Sequence, residues 1–223
     1  MHHLNQPLLL SATLASCLIG VALGEDHADH LAFSDLRIEA SLLPDTFDTD
    51  ARASGALGSV SQSGDVTFDD AWRVGIIGQS ARANAAGGLA FGCGGGIQYS
   101  RWHDGGDVEQ TVEALAATLR LGLVIRPTDF FHLEAMPYGA LGAARGKIES
   151  EESDVDFYWE FGGIAGAFLT FNSFQVGIHV GYLWNGTKLN FDNDANFTGP
   201  VQNVTVDLRG EGAFFGASIG GRF

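Results

Sequence analysis

Ionisable side chains recur at alternating positions inside segments of this sequence that are otherwise apolar or small. They comprise three arginines, three glutamates and two histidines: Arg37, Glu39, Arg73, Arg120, His132, Glu134, Glu160 and His179. A histidine beside a carboxylate can act as a general base when a nucleophile lies within hydrogen-bond reach. Opposite charges that are removed from water must otherwise pair with one another. The pattern is therefore compatible with general-base catalysis or with a network of ion pairs.

His132 and Glu134 are the best general-base candidates, because alternate residues share one face of a strand. The same geometry allows a pairing of charges, since Arg120 lies in the preceding apolar segment and Glu160 in the following one. We expect these charges to approach one another across neighbouring strands. His179 lies in GIHVGY and has no serine nearby in the sequence. We therefore predict a network of paired charges and no catalytic residue.

Two short motifs have the composition of metal-binding sequences. EDHADH, at 25–30, offers His27 and His30, but it follows a predicted cleavage site, where a solvated tail is expected. DNDANF, at 192–197, has the one-three-five spacing of a calcium loop, but Phe197 stands where such a loop needs glycine. The sequence therefore predicts neither a metal site nor a cofactor.

Eight segments alternate between apolar and polar or small residues, which is the period of a β-strand. In the clearest of them, Leu115 to Ile125, every odd-numbered residue is apolar. Each segment can supply the about 9 to 11 residues that a tilted strand needs to cross a bilayer. The segments are 33–43, 70–79, 87–100, 111–126, 130–143, 155–171, 174–184 and 210–223.

The connections between these segments alternate in length. Residues 127–129 and 172–173 have the length of tight hairpin turns, whereas 44–69, 101–107, 145–154 and 190–203 are longer. Short turns on the periplasmic side and long loops outside are typical of an up-and-down membrane barrel. The 44–69 connection is long enough to contain a further hairpin at 52–62, so the alternatives are eight strands and ten.

Aromatic residues and small polar faces favour a membrane barrel over a soluble one. The predicted topology places the four tryptophans at the outer rim, namely Trp72, Trp102, Trp159 and Trp184. It places five phenylalanines at the inner rim, namely Phe130, Phe131, Phe171, Phe174 and Phe223. Two such belts mark the two membrane interfaces. The polar face is mostly small, as expected for a lumen that side chains fill.

The ends of the chain indicate export. Residues 8–24 form an apolar run that ends in ALG, which is typical of a secretory signal. We predict a signal peptide at 1–24, a short acidic and histidine-containing segment at 25–32, and a barrel domain at 33–223. LASC, at 14–17, is an alternative lipoprotein processing site. Cys93 is the one cysteine after the signal, which excludes an internal disulfide.

The alternating strands, the parity of the connections and the C-terminal row resemble the small outer-membrane β-barrels of Gram-negative bacteria, of the OmpA membrane-domain and OmpX type. The row consists of Phe215, Ala217, Ile219, Gly221 and Phe223. The resemblance implies a transmembrane, up-and-down, antiparallel, eight-stranded barrel in the cell outer membrane. It also implies that Phe215, Ala217, Ile219 and Phe223 form the signal that the barrel-assembly machinery reads, although Gly221 replaces the larger residue usual there.

Two functions remain open at this stage. The first is a structural or surface-interaction barrel with a plugged polar lumen, and the second is a small channel for ions or a hydrophobic solute. A lipid A-modifying barrel enzyme is a further, weaker alternative, because no serine stands near His179. The net charge of −15 excludes nucleic acid as a partner. We expect a monomer whose acidic loops meet outer-membrane lipid and lipopolysaccharide, directly or through divalent cations.

Overall fold

The computed structural model describes residues 30–56, 58–84, 88–106, 108–149, 151–192 and 201–223. The predicted signal and His27 lie outside these ranges, as does most of the DNDANF motif. The boundaries of the signal and of the segment after it therefore stay predictions, although the first strand already begins at His30. In the described ranges, no helix has the length and apolar character needed to cross a membrane.

The described chain is built from antiparallel strands. Their bounds are β1 His30–Leu42, β2 Thr46–Gly55, β3 Gly58–Thr67, β4 Asp70–Asn84, β5 Leu89–Asp104, β6 Gln110–Thr128, β7 Phe131–Ile148, β8 Glu151–Glu152, β9 Asp156–Phe171, β10 Phe174–Asp192 and β11 Val201–Arg222. Eight of them form a closed ring in the order β1, β4, β5, β6, β7, β9, β10, β11. The ring closes where β1 pairs with β11, from Asp35 opposite Arg222 to Leu42 opposite Phe215. The predicted eight-stranded up-and-down barrel is confirmed.

The two ends of the barrel differ as the loop lengths predict. Residues 129–130 and 172–173 form the turns at one end, which also holds His30 and Phe223 and is called the short-turn end here. The opposite, long-loop end carries the connections that follow β1, β5, β7 and β10.

The 44–69 connection contains the extra hairpin considered as an alternative, formed by β2 and β3. β2 pairs with the first half of β11, from Val201 to Gly210, above the point where β1 leaves that strand. β3 pairs with β2 and, among the described residues, forms no ladder with β4. The hairpin therefore extends the sheet beyond the ring, and the closed barrel keeps eight strands instead of ten.

Alternation sorts the side chains into an apolar outer face and a buried inner face. On β1, Ile38 is 55% exposed and the adjacent Arg37 is 1% exposed. The same reversal follows the other ring strands, whose outward side chains are mainly leucine, isoleucine, valine and phenylalanine. An apolar exterior around a polar interior is the arrangement of a barrel that spans a bilayer. The predicted transmembrane fold is therefore confirmed.

Glycine on the inner face makes room for large rings. A Cβ atom added at Gly166 or at Gly177 would overlap the ring of Phe168, which lies between these two glycines. That ring cannot move aside easily. It stacks on the His132 ring, with 4.9 Å between centroids, and the Arg37 guanidinium lies over it at 4.3 Å from its centre. The close approach of ring and backbone accounts for glycine at these positions.

We expect Gly177→Ala to lower the free energy of unfolding by about 1–3 kcal/mol, because the added methyl group overpacks a ring that is held on both faces. Gly163→Ala is the matched control, since a Cβ there meets nothing within 4 Å. The control should change stability by less than about 0.5 kcal/mol. Urea unfolding of both variants in detergent, followed by tryptophan fluorescence, measures the difference, and equal losses would contradict the packing argument.

Candidate functional site: the lumen of the barrel

The lumen holds all eight ionisable residues that the sequence singled out. Each of them is 8% exposed or less, although all are polar or charged: Arg37, Glu39, Arg73, Arg120, His132, Glu134, Glu160 and His179. Charges in such a dry space are stable only when they are paired and hydrogen-bonded. The contacts among them therefore decide what the lumen can do.

Three ion pairs cross the lumen. Arg120 donates from Nη1 and Nη2 to Glu39 Oε1 and Oε2 at 2.8 and 2.6 Å. Arg37 Nη2 donates to both oxygens of Glu134 at 3.2 and 2.9 Å, and Arg73 forms a hydrogen-bonded ion pair with Glu160. Fork-like pairs between guanidinium and carboxylate are among the strongest hydrogen-bonded contacts in proteins.

The expected pairing of Arg120 with Glu134 and Glu160 on neighbouring strands is wrong. On the β6–β7 ladder Arg120 lies opposite Tyr138, whereas Glu134 lies opposite Val124, four residues further along β6. At about 3.3 Å per residue, this offset separates the two levels by about 13 Å. The actual partners come from across the ring. Glu134 on β7 pairs with Arg37 on β1, and β4 and β9, which carry the other such pair, are likewise four strands apart.

Glu160 accepts hydrogen bonds from four different side chains. Tyr138 and Tyr158 donate to its two oxygens at 2.7 and 2.6 Å, and Gln98 Nε2 donates at 3.2 Å. Together with Arg73, these donors satisfy both carboxylate oxygens. Because both of its oxygens are occupied, this carboxylate is poorly placed to contact a substrate.

The two lumen histidines have different surroundings. His132 Nε2 lies 3.0 Å from Glu134 Oε1, and its ring stacks on Phe168. His179 Nε2 lies 2.9 Å from Ser41 Oγ, so β1 supplies the serine that was absent near His179 in the sequence. Among the described residues, none forms a hydrogen bond to His179 Nδ1 that would orient the ring, and Ser41 is buried.

Two apolar clusters pack against these charges. The larger one fills the long-loop end, with members that include Leu43, Phe47, Phe68, Trp102, Val112, Leu183, Leu189 and Leu208. The smaller one comprises Phe33, Ala81, Ala90, Val124 and Met136 and lies at the level of Glu134, which is opposite Val124 on the β6–β7 ladder. An apolar layer therefore separates the polar network from the long-loop end of the barrel.

Trp102 does not lie at the outer rim as expected. It is 1% exposed, its Nε1 donates to the carbonyl oxygen of Pro44 at 3.1 Å, and its ring packs edge-on against Phe47. The reason is parity, because Trp102 shares the inward face of β5 with Gln98 and Ser100. The sequence-based prediction used only the distance of Trp102 from the end of its strand and did not take into account the face of the strand on which its side chain lies.

The other aromatic residues of the two predicted belts lie on the outward face. Phe161 stacks between Trp159 and Trp184, with ring centroids 5.4 and 5.3 Å apart. Trp72 lies against Tyr99 at 5.6 Å. At the short-turn end, the exposed phenylalanines include Phe130, Phe171, Phe174 and Phe223. Of the C-terminal row, Phe215, Ala217, Ile219 and Phe223 all face outward.

Sequence reasoning missed several members of the lumen network. Gln79 and Gln98 each donate to a buried glutamate, and Asp35 lies beside Arg37. Parity with neighbouring charges would have identified them, because Asp35, Arg37 and Glu39 alternate on one face of β1.

Comparisons with known proteins give similarity of fold alone. No protein-family model matches the chain, and no curated protein matches it. Among solved structures, it is similar to the outer membrane protein OprG from Pseudomonas aeruginosa, at 14% identity over 86% of this chain and 95% of that one, with a TM-score of 0.45.

Two further structures show the same level of similarity. The outer membrane protease OmpT from Escherichia coli is 11% identical over 85% of this chain and 96% of its own, with a TM-score of 0.42. Ail, the attachment invasion locus protein of Yersinia pestis, solved with a heparin analogue, is 13% identical over 86% and 99%, with a TM-score of 0.38. At these identities the likeness concerns the barrel architecture only.

We expect Arg120→Leu to lower the free energy of unfolding by about 3 kcal/mol or more, because it leaves Glu39 buried without its main partner. Combining it with Glu39→Leu should recover part of that loss, and a double-mutant cycle in urea gives the coupling.

Glu160→Leu is the control for this cycle, since Glu160 pairs with Arg73. Combined with Arg120→Leu it should recover nothing. A neutral Arg120→Leu would show that the lumen is wet and that its charges are screened.

Proposed function

We propose that this protein is a monomeric outer-membrane barrel with a closed lumen, which works through its surface and not through a pore. The buried ion pairs that cross the lumen, together with the apolar layer at its long-loop end, are the observation that carries the proposal. An eight-stranded barrel is only just wide enough for side chains to fill. Here the filling consists of ion pairs and of buried apolar side chains, and therefore it offers an ion no favourable continuous path.

An outer-membrane location is supported by the exterior of the ring. The outward face of its strands is apolar, and aromatic side chains lie towards both ends of that face. Such a surface is stable against lipid and would drive aggregation in water. The outward row Phe215, Ala217, Ile219 and Phe223 supports recognition by the barrel-assembly machinery.

The surface available for interaction is the sheet that continues beyond the ring at the long-loop end. The β2–β3 hairpin presents Asp48, Asp50 and Asp65 on its exposed face, and Arg209 on β11 lies opposite Asp48. Arg209 forms an exposed ion pair with Asp207 at 3.2 Å. Charges of both signs on a rigid ribbon fit contact with lipopolysaccharide headgroups, directly or through divalent cations.

A non-enzymatic role is part of this proposal. The Ser41–His179 pair is the arrangement closest to a nucleophile and base in the described lumen, and both residues are buried. A substrate would have to pass either the apolar layer at the long-loop end or the ion pairs of the lumen to reach it.

One observation favours a second candidate, passage of a hydrophobic solute through the wall. The β6–β7 ladder pairs Arg120 with Tyr138 and Leu123 with Ala135, but it is interrupted between them, where Pro137 has no N–H to donate. An open apolar groove of about 750 Å³ begins at the same place and includes Pro137, Gly163 and Phe215 in its lining. Pro137→Ala should lower uptake of an apolar dye by liposomes if this route operates.

We expect the purified protein to show no stable conductance in planar bilayers, because the lumen is filled along its axis. A general porin added afterwards to the same bilayer is the control for incorporation. Steady, ion-selective openings of the wild-type protein would contradict the closed lumen and favour the channel.

Cys93 tests the position of the bilayer, because it is exposed on the outward face of β5. In membranes it should resist a water-soluble maleimide and react after unfolding. The control is Cys93→Ser combined with Ser63→Cys on the exposed β3 strand, which should react without unfolding. Rapid labelling of Cys93 in the folded protein would place that face in water.

A further inference from the structure

Three potential metal ligands converge near the short-turn end of the lumen. Asp35 lies on β1, and His132 and Glu134 lie on β7, which is four strands away in the ring. One donor atom of each residue lies within 4.8 Å of the other two, and all three residues are buried. The fold therefore brings one imidazole and two carboxylates from opposite walls to a single point.

Asp35 is the member of this cluster that lacks a hydrogen-bond partner. Its side chain is fully buried, yet neither of its oxygens accepts a hydrogen bond in the described structure. Arg37 Nε is 3.5 Å away, but the Nη2 of the same guanidinium donates to Glu134 and to Gln79. A buried carboxylate without donors is costly and calls for a specific explanation.

The local charges also leave one acid unmatched. Glu39 is neutralised by Arg120, and Glu134 by Arg37. Arg222, which pairs in register with Asp35, instead lies over the ring of Phe33 at 4.1 Å and reaches Thr170 Oγ1 at 3.5 Å. A cation beside Asp35 would satisfy both its charge and its empty lone pairs.

His132 is held in place for ligation. Its ring stacks on Phe168 at 4.9 Å with planes 11° apart, and Phe33 lies 5.2 Å away on a tilted plane. Its Nδ1 has no hydrogen-bond partner in the part of the chain that the structure describes. Glu134 is oriented from outside the cluster by Arg37 and by Gln79 Nε2 at 2.7 Å. Partners of this kind, which fix the ligands themselves, are typical of metal sites.

We propose that Asp35, His132 and Glu134 bind one divalent first-row transition-metal ion. Imidazole and carboxylate together favour ions such as Zn²⁺ over Ca²⁺ or Mg²⁺, which prefer an all-oxygen set. Ligand bonds of about 2.0–2.2 Å require the donor atoms to move closer by about 1 Å. The ion would join β1 to β7 and so clamp opposite walls of the barrel next to its short-turn end.

The experiment titrates Zn²⁺ into the chelator-treated, folded full chain in detergent and follows binding by calorimetry. We expect one tightly bound Zn²⁺ per chain and a higher urea midpoint with Zn²⁺ than with chelator. Asp35→Asn and His132→Gln should each weaken this binding by about 100-fold or more, since each removes a direct ligand. Loss of the unpaired charge should leave Asp35→Asn folded, which far-UV circular dichroism checks.

Two control variants exclude other histidines. His179→Asn alters a lumen histidine outside the cluster, and a His27→Asn, His30→Asn double variant removes the competing ligands of the N-terminal segment. Both should bind Zn²⁺ like the wild type. Absence of binding in the wild type, its persistence in both Asp35→Asn and His132→Gln, or its loss in the N-terminal variant would overturn the proposal.

X-ray absorption of the Zn²⁺-loaded wild type provides a test that needs no variant. The spectrum should show a single imidazole among oxygen ligands and no sulfur, as the three side chains require. Two or more imidazoles would assign the ion to a different set of residues and overturn the proposal.

Discussion

Closure of the sheet with eight strands is the constraint on which the rest of this structure depends. Closure removes the exposed edges of the ring, so that its backbone hydrogen bonds are made between strands and the exterior can be apolar. It also leaves an interior of fixed, narrow width that side chains must fill. Long arginines reaching glutamates on the opposite wall are one way to fill such a space without leaving a buried charge unpaired.

The sequence predicts on which face of a strand a side chain lies, but it does not predict which residues of other strands lie at the same height along the barrel. The alternation from Leu115 to Ile125 identifies the outward side of β6 because the side-chain period of a strand is two. The same alternation says nothing about which residue of β7 lies beside Arg120, since that depends on the register of the ladder. The partner of Arg120 was therefore mispredicted, although its inward orientation was right. Trp102 shows the converse. Its position near the strand end suggested the outer rim, whereas the alternation along β5 gives its inward orientation correctly.

The ion pairs supply the information about register that alternation lacks. A slip of one residue between strands would turn the polar face outward and is excluded by hydrophobicity alone. A slip of two residues would preserve both faces, but it would move Glu39 about 7 Å from Arg120 along the strand. Only the native register leaves both groups paired. Charged residues in the lumen thus discriminate between arrangements that the apolar belt would tolerate equally.

The division of β11 between two partners has a consequence for how this surface can change over time. Its last eight ladder positions close the ring with β1, and its first half carries the β2–β3 hairpin. The hairpin is therefore hydrogen-bonded to the barrel through β11, but its strands are not among those that close the ring. Insertions, deletions or substitutions in the outer part of the hairpin, between Ala51 and Gln62, leave every ladder of the ring intact and keep Phe47 and Phe68 in the apolar layer. Such a chain can diversify the ribbon it displays to its surroundings while the membrane-embedded barrel is inherited unaltered.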